Sequence, residues 1–291
     1  MAPSNRRPQH SLDRTKSILQ YLVVSPILLF LVVPTAVVIP MALTPRRYIE
    51  FPPSGVSVHA FTDVFHDPAW MSAAATSLQV ALIAMLVSCF AGATAAISLH
   101  GRKFRGKGLL VGLILMPIVI PLVVLGLADY QYFASYHLVG TVLGIGIAHS
   151  VLATPYTYLT VEASLAGLDP ALFRAARSLG AGSLSLLRHV YFPAMRTGLL
   201  AGAALAFAVS FDEAVIALFL QGPQATTLSV KMFTDIQYEL TPKIAAVSSM
   251  LVGVAVLVLL VYVAALRHQR LASRQRTLSL MEEEVRLEYV H

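Results

Sequence analysis

Residues 73–108 read AAATSLQVALIAMLVSCFAGATAAISLHGRKFRGKG. Residues 73–99 of this stretch hold no Asp, Glu, Lys or Arg. A helix of that length reaches roughly 40 Å at 1.5 Å per residue, against about 30 Å for the hydrocarbon core of a bilayer. The apolar residues run continuously and do not alternate, so the stretch is not a strand of a membrane barrel. Arg102, Lys103, Arg105 and Lys107 follow at once. An apolar run closed by a basic cluster reads as a spanning helix that ends on the cytoplasmic side.

Five further runs extend this reading: residues 18–43, 109–128, 138–160, 198–220 and 244–266. The fold class they predict is an all-α membrane protein with about six transmembrane helices. Composition agrees. Of the 291 residues 57% are hydrophobic and 12% are charged, whereas an ordinary soluble domain carries roughly 25% charged residues. Mean hydropathy is +0.72. A cytosolic globular enzyme, a disordered chain and a disulfide scaffold are excluded. The lone Cys89 allows neither an intrachain disulfide nor a cysteine metal site.

Seventeen of the 21 Lys and Arg residues fall in segments that the spans place on one side. These are the N-terminal tail, the 101–108 loop, the 162–197 stretch and the C-terminal tail. Arg46, Arg47, Lys231 and Lys243 fall on the other side. The bias predicts that both termini are cytoplasmic. The net charge of +6 is thereby assigned to membrane orientation and not to nucleic acid. The first run exceeds the 7–15 apolar residues of a signal-peptide core, so it is expected to stay as an anchor. The expected organisation is a basic cytoplasmic tail over 1–17, a transmembrane domain over 18–268 and a cytoplasmic tail over 269–291. Three glycine pairs, Gly108/Gly112, Gly140/Gly144 and Gly198/Gly202, are candidate sites of close helix approach. Pro117 and Pro121 are expected to kink or loosen the third span.

Catalytic and cofactor motifs are missing. GRKFRGKG has the glycines and lysine of a phosphate-binding loop, but Gly108 stands where the Mg²⁺-binding hydroxyl should be. It reads instead as a basic loop against anionic headgroups. The nine histidines show no metal-ligand spacing, and no serine sits in a nucleophile elbow. The chain is expected to act in transport and not in chemistry, with no cofactor, no metal and no catalytic residue of its own.

One cytoplasmic stretch is too polar to span. Residues 167–198 read GLDPALFRAARSLGAGSLSLLRHVYFPAMRTG. Asp169 is a good N-cap and Pro170 a good first helical residue. A helix is expected over 171–179 with an apolar stripe of Leu172, Ala175, Ala176 and Leu179, ended by Gly180. A second short helix is expected from Ser183 to about Val190, stopped by Pro193. Such a pair suits either a lipid surface or a groove in a partner protein.

These residues resemble the EAA loop of the membrane subunits of bacterial ABC importers. Ala175, Ala176 and Gly180 match it directly, and Pro193 matches its terminal proline. Val190 and Phe192 stand for its isoleucine and leucine. The sequence departs at Arg174, where the family has glutamate. Further on, SFDE at 210–213, GP at 222–223, TTL at 226–228 and TPKIAAVS at 241–248 look like the spermidine/putrescine permeases of that family. The resemblance covers roughly residues 15 to 268. It implies a type I (MetI-like) permease bundle in the bacterial inner membrane, with a coupling-helix loop at about 162–197. It also implies a second permease subunit, two cytoplasmic ATPase subunits and an extracytoplasmic solute-binding protein as partners. Arg174, Ala175, Ala176, Arg177, Gly180 and Pro193 would dock the ATPase. Related branches carry amino acid-like solutes, aminophosphonate or iron. A self-sufficient secondary transporter is the rival class, but the chain shows no inverted repeat.

Asp212 and Glu213 fall near the middle of the fifth run. An ionised carboxylate there costs about 2.5–3.5 kcal/mol even on the lenient insertion scale, so intramembrane acids face a water-filled path or a partner. Adjacent helical residues point about 100° apart, so the two are not expected to line a path equally. Asp212 and Glu213 are both expected path residues for a cationic solute, with Asp212 in the favoured position.

Overall fold

The computed structural model describes residues 10–261. Both expected tails therefore fall largely outside the described residues, as does the end of the sixth run. Among the described residues the chain is helical, and the sole β-type pairing is an isolated bridge between Gly222 and Ala225. Five helices are long and apolar enough to cross a membrane, and a bent pair makes six. The chain falls into two compact units, residues 1–64 with 240–291, and residues 65–239.

The first unit holds α1 (His10–Ala42), with an apolar span at Val24–Ala42, and α12 (Pro242–Val261). Phe30, Leu31, Leu257 and Leu260 are all exposed. Exposed leucines in long apolar helices are what a lipid-facing surface requires, because the bilayer is itself the apolar solvent. After α1 a turn is tied by Glu50. Its carboxylate accepts from Thr44 Oγ1 at 2.8 Å, from the Ser54 N–H at 2.9 Å and from Ser54 Oγ. The short helix α2 (His59–His66) follows.

The second unit is built on three long helices, α3 (Pro68–Leu99), α6 (Val142–Ala166) and α9 (Phe192–Asp212). Asp67 caps α3 through the Ala69 N–H at 3.0 Å, and Thr141 caps α6 through the Gly144 N–H at 3.0 Å. Small residues set the approach of these helices. A Cβ at Gly92 would lie 2.8 Å from Tyr158 N, and one at Gly202 would lie 2.9 Å from Thr157 Cα. Both α3 and α9 thus press their backbones onto α6. Packing of this kind replaces the hydrophobic drive that lipid withholds from helix pairs. Of the three expected glycine pairs, Gly198/Gly202 is such a contact. Gly108/Gly112 is not, since a Cβ at either position would meet nothing within 4 Å.

Two expected spans differ from what is observed. The third is broken into α4 (Lys107–Val119) and α5 (Leu122–Ala134), which turn by 103°. Pro121 explains the break, because a proline pushes the residue before it out of the helical region. Ile120 is accordingly extended, at φ −71° and ψ 132°. Pro117 stays inside α4. The fifth expected span, 198–220, is not one helix. The apolar helical run begins at Ser183 and ends at Asp212, and α10 (Val215–Leu220) starts afresh. Pro193 therefore does not stop the second short helix expected from Ser183. Between α8 (Ser183–Leu186) and α9 the chain passes through a π-helical segment, Leu187–Tyr191, that runs on into Pro193. A widened turn takes up the missing donor and bulky ring of a proline that would clash with an ordinary i−4 carbonyl.

Candidate functional site

The stretch expected to be cytoplasmic forms α7 (Pro170–Ser178). Asp169 caps it through the Ala171 N–H at 2.8 Å. Gly180 closes it at φ +81°, and the Ala181 N–H reaches back to the Ala176 carbonyl at 3.0 Å. That six-to-one closure needs a left-handed residue at position 180, which glycine adopts freely. Leu172, Ala175 and Leu179 are exposed, with Leu179 at 89%, and Ala176 is partly so. The expected apolar stripe is thus present and uncovered. The side chains of Arg174 and Arg177 lie outside the described residues. Pro193 sits at the start of α9, apart from α7 in the chain.

The two carboxylates have different surroundings. Asp212 is the last residue of α9, and Glu213 is extended at φ −70° and ψ 123°. Asp212 is exposed, whereas Glu213 is 7% exposed. The Glu213 carboxylate turns onto the start of α10. It accepts from the N–H groups of Val215 at 2.8 Å, Ile216 at 2.9 Å and Ala217 at 3.2 Å. These are the donors that a new helix leaves unpaired, and a negative charge at a helix N-terminus is further favoured by the dipole. His149 of α6 stands beside it, fully buried, with Nε2 3.2 Å from Oε2. The ring and the carboxylate are thus in close polar contact. The other ring nitrogen, Nδ1, lies 2.9 Å from Ser210 Oγ and 3.1 Å from Ser210 O.

A cavity of about 470 Å³ opens at this point. Pro117, Ile118, Ile120 and Leu122 line it from the break between α4 and α5. Asp212, Glu213, Ala214 and Val215 line it from the break between α9 and α10, and Leu152 and Tyr156 line it from α6. Two interrupted helices thus face one space. Irregular backbone at membrane depth is tolerated only where it is buried in protein or lines a cavity, and interrupted helices are where transporters build solute sites. The acids expected by sequence are brought together with Tyr156 and both breaks, but of the two only Asp212 is exposed. Lys231, one of the two nearest bases in sequence, does not pair with them. It bonds Asp235 at 2.7 and 2.8 Å and lies 5.0 Å over the Trp70 ring.

Sequence reasoning missed His149, Tyr156 and the capping role of Glu213. His149 is one of nine scattered histidines, and Tyr156 is an aromatic in an apolar run. Glutamate is not a favoured N-cap. Only the coincidence of an acid and a histidine in separate spans could have been noticed.

Residues 84–277 match the family described as binding-protein-dependent transport system inner membrane component. The chain belongs to that family. It is a multi-pass permease subunit of an ABC importer, and ATP hydrolysis is the work of a separate ATPase. Among its relatives is the putrescine transport system permease protein PotI of Escherichia coli, 31% identical over 69% of this chain and 74% of that one. The spermidine/putrescine transport system permease protein PotC of Haemophilus influenzae is 25% identical over 77% of this chain and 86% of its own length. The probable molybdenum ABC transporter permease of Haloferax volcanii is 32% identical over 67% and 75%. Among solved structures, a bacterial ABC transporter involved in import of the acidic polysaccharide alginate superposes with a TM-score of 0.66 at 15% identity. That superposition covers 91% of this chain and 99% of that one. This permease therefore has the importer-permease fold.

Proposed function

We propose that this permease forms one half of the membrane path of a polyamine importer, carrying putrescine or spermidine. The observation that carries the reading is Asp212, exposed in the cavity between two helix breaks that Tyr156 also lines. A carboxylate and an aromatic face are what an alkylammonium needs when it gives up hydration. The names of the Escherichia coli and Haemophilus influenzae relatives support the same solute class. The Haloferax volcanii relative favours a molybdenum importer as the second reading. Dissolved molybdenum is an oxyanion, which a carboxylate in the path would repel.

In this reading a second permease subunit completes the path. Two cytoplasmic ATPases close on ATP and push α7, whose uncovered apolar stripe seats in their groove. A solute-binding protein delivers from outside, and both termini face the cytoplasm of a bacterial inner membrane. Arg174, Ala175, Ala176, Arg177 and Gly180 belong to the docking surface, and Pro193 supports it from the start of α9. Deleting residues 171–180 is expected to abolish co-purification of the ATPase while membrane insertion persists, because α7 lies outside the spans. Retained stoichiometric ATPase would rule out docking through α7.

The charge assignment is tested by Asp212→Asn, which keeps shape and hydrogen bonding but removes the charge. Uptake of radiolabelled putrescine and spermidine into proteoliposomes carrying the whole complex is expected to fall more than about tenfold, a barrier increase above about 1.4 kcal/mol. Solute binding to the external protein should not change. Normal uptake would make Asp212 structural.

A further inference from the structure

We propose that His149 is a positioning residue. Acting through Glu213, it holds the break between α9 and α10 and so aims Asp212 into the cavity. The proposal deepens the reading of Asp212 as a path residue, and its uptake arm rests on that reading.

The geometry runs as a short chain of contacts. Asp212 ends α9 and Glu213 follows it extended, so whether the helix stops at Asp212 depends on Glu213. Glu213 is held extended because its carboxylate is committed to the N–H groups of Val215, Ile216 and Ala217. Those bonds hold the carboxylate to α10 alone. His149 Nε2 at 3.2 Å is the contact that ties it to α6. The same ring reaches the last turn of α9 through Ser210. The arrangement that satisfies these atoms has the Ser210 hydroxyl donating to Nδ1 while Nε2–H faces the carboxylate. One imidazole therefore contacts the end of α9 and the cap of α10. Both sides of the α9/α10 break are thus referred to a single buried side chain on the unbroken helix α6.

Burial gives the contact its weight. His149 has no exposed surface and the Glu213 side chain is 4% exposed. A contact between an imidazole and a carboxylate at such depth is weakly screened. Gly202 and Gly92 lock α6 between α9 and α3, so α6 is the rigid member and the break is the adjustable one.

The test reads the position of residue 212 directly. In a Cys89→Ala background, Asp212→Cys reports the break, and Tyr156→Cys reports the same cavity from α6. The whole complex is labelled with a trimethylammonium methanethiosulfonate. Adding His149→Gln is expected to slow labelling at position 212 at least about fivefold while position 156 stays within about twofold, the pattern of a local coupling. Glu213→Gln should do the same, and it serves as the readout if His149→Gln does not accumulate. Labelling at 212 that stays within about twofold of the parent in both variants, or that falls equally at 156, would overturn the proposal. In the uptake arm, His149→Gln should cost the parent at least about tenfold but Asp212→Asn less than about twofold, because a residue acting through Asp212 has nothing left to aim. Equal losses in both backgrounds make His149 merely structural. Normal uptake in Asp212→Asn would sink the solute reading alone, and labelling would still decide the role of His149.

Discussion

Two helix breaks line one cavity, and they are made by opposite means. The break between α4 and α5 is local. Pro121 carries no N–H and forces Ile120 out of the helical region, whatever surrounds them. The break between α9 and α10 is tertiary. Nothing in Phe211–Asp212–Glu213–Ala214–Val215 forbids a helix, and the apolar run continues through it to Leu220. The chain leaves the helix there because Glu213 finds three backbone donors and a histidine from another span. A proline break is therefore rigid and independent of its neighbours. An acid-made break lasts only while its partners stay in place, and it is the one that carries the exposed carboxylate.

The sharpest way to separate the two is to remove each cause. Glu213→Ala strands the N–H groups of Val215, Ile216 and Ala217, the last two of them buried. Each buried unsatisfied donor costs about 1–3 kcal/mol, so a loss of at least about 2 kcal/mol is expected. Thermal unfolding of the detergent-solubilised permease should show it, with Glu213→Gln recovering most of the loss because its amide oxygen still accepts. If Glu213→Ala unfolds with the parent, the acid does not make the break.

Pro121→Ala should do the reverse, sparing stability and impairing transport. Alanine is favoured over proline inside a helix by about 3 kcal/mol, so α4 and α5 can join into one helix and close the cavity at Ile120. Membrane abundance should hold or rise while uptake falls about tenfold. Normal uptake would show that surrounding packing, and not proline, maintains the 103° turn.

The same contrast explains what the sequence made legible. Features written in consecutive residues were readable: the apolar runs, the Asp169 cap, the Gly180 stop and the stripe on α7. Pro121 announced a disturbance, though a kink was expected and a break is found. Features written between distant residues were not. The run at 198–220 looked like one span because hydropathy does not register a capping carboxylate. The continuation through Pro193 was missed because a proline reads as a stop, and the π-helical turn that absorbs it has no sequence signature here. Asp212 and Glu213 were set apart by helical phase, whereas in the structure they differ because Asp212 ends α9 and Glu213 caps α10.

Glu50 sharpens the comparison further, since it is the device of Glu213 placed outside the spans. Its carboxylate also gathers a backbone N–H, from Ser54, with the hydroxyls of Thr44 and Ser54. The Ser54 hydrogen bonds, then the Thr44 hydroxyl and nearby Arg46, hold the Glu50 carboxyl below the usual glutamate range. A folded value below the unfolded one means that the ionised form favours the fold. The contribution is present above the unfolded value of about 4.3 and fades as pH falls through the lower folded value. Water competes for every one of these groups, so the effect should be the smallest of the set and confined to the turn. Hydrogen exchange at the Ser54 amide, corrected for its intrinsic pH dependence, is the fitting probe. Protection should be steady from neutral pH down to about 4.3 and then decline, while Glu50→Gln should show weak protection with no such decline. If the parent and Glu50→Gln trace the same curve, the turn is held by its backbone bond from Ser57 to Leu43, and an acid-made turn outside the membrane does not behave as the acid-made break within it does.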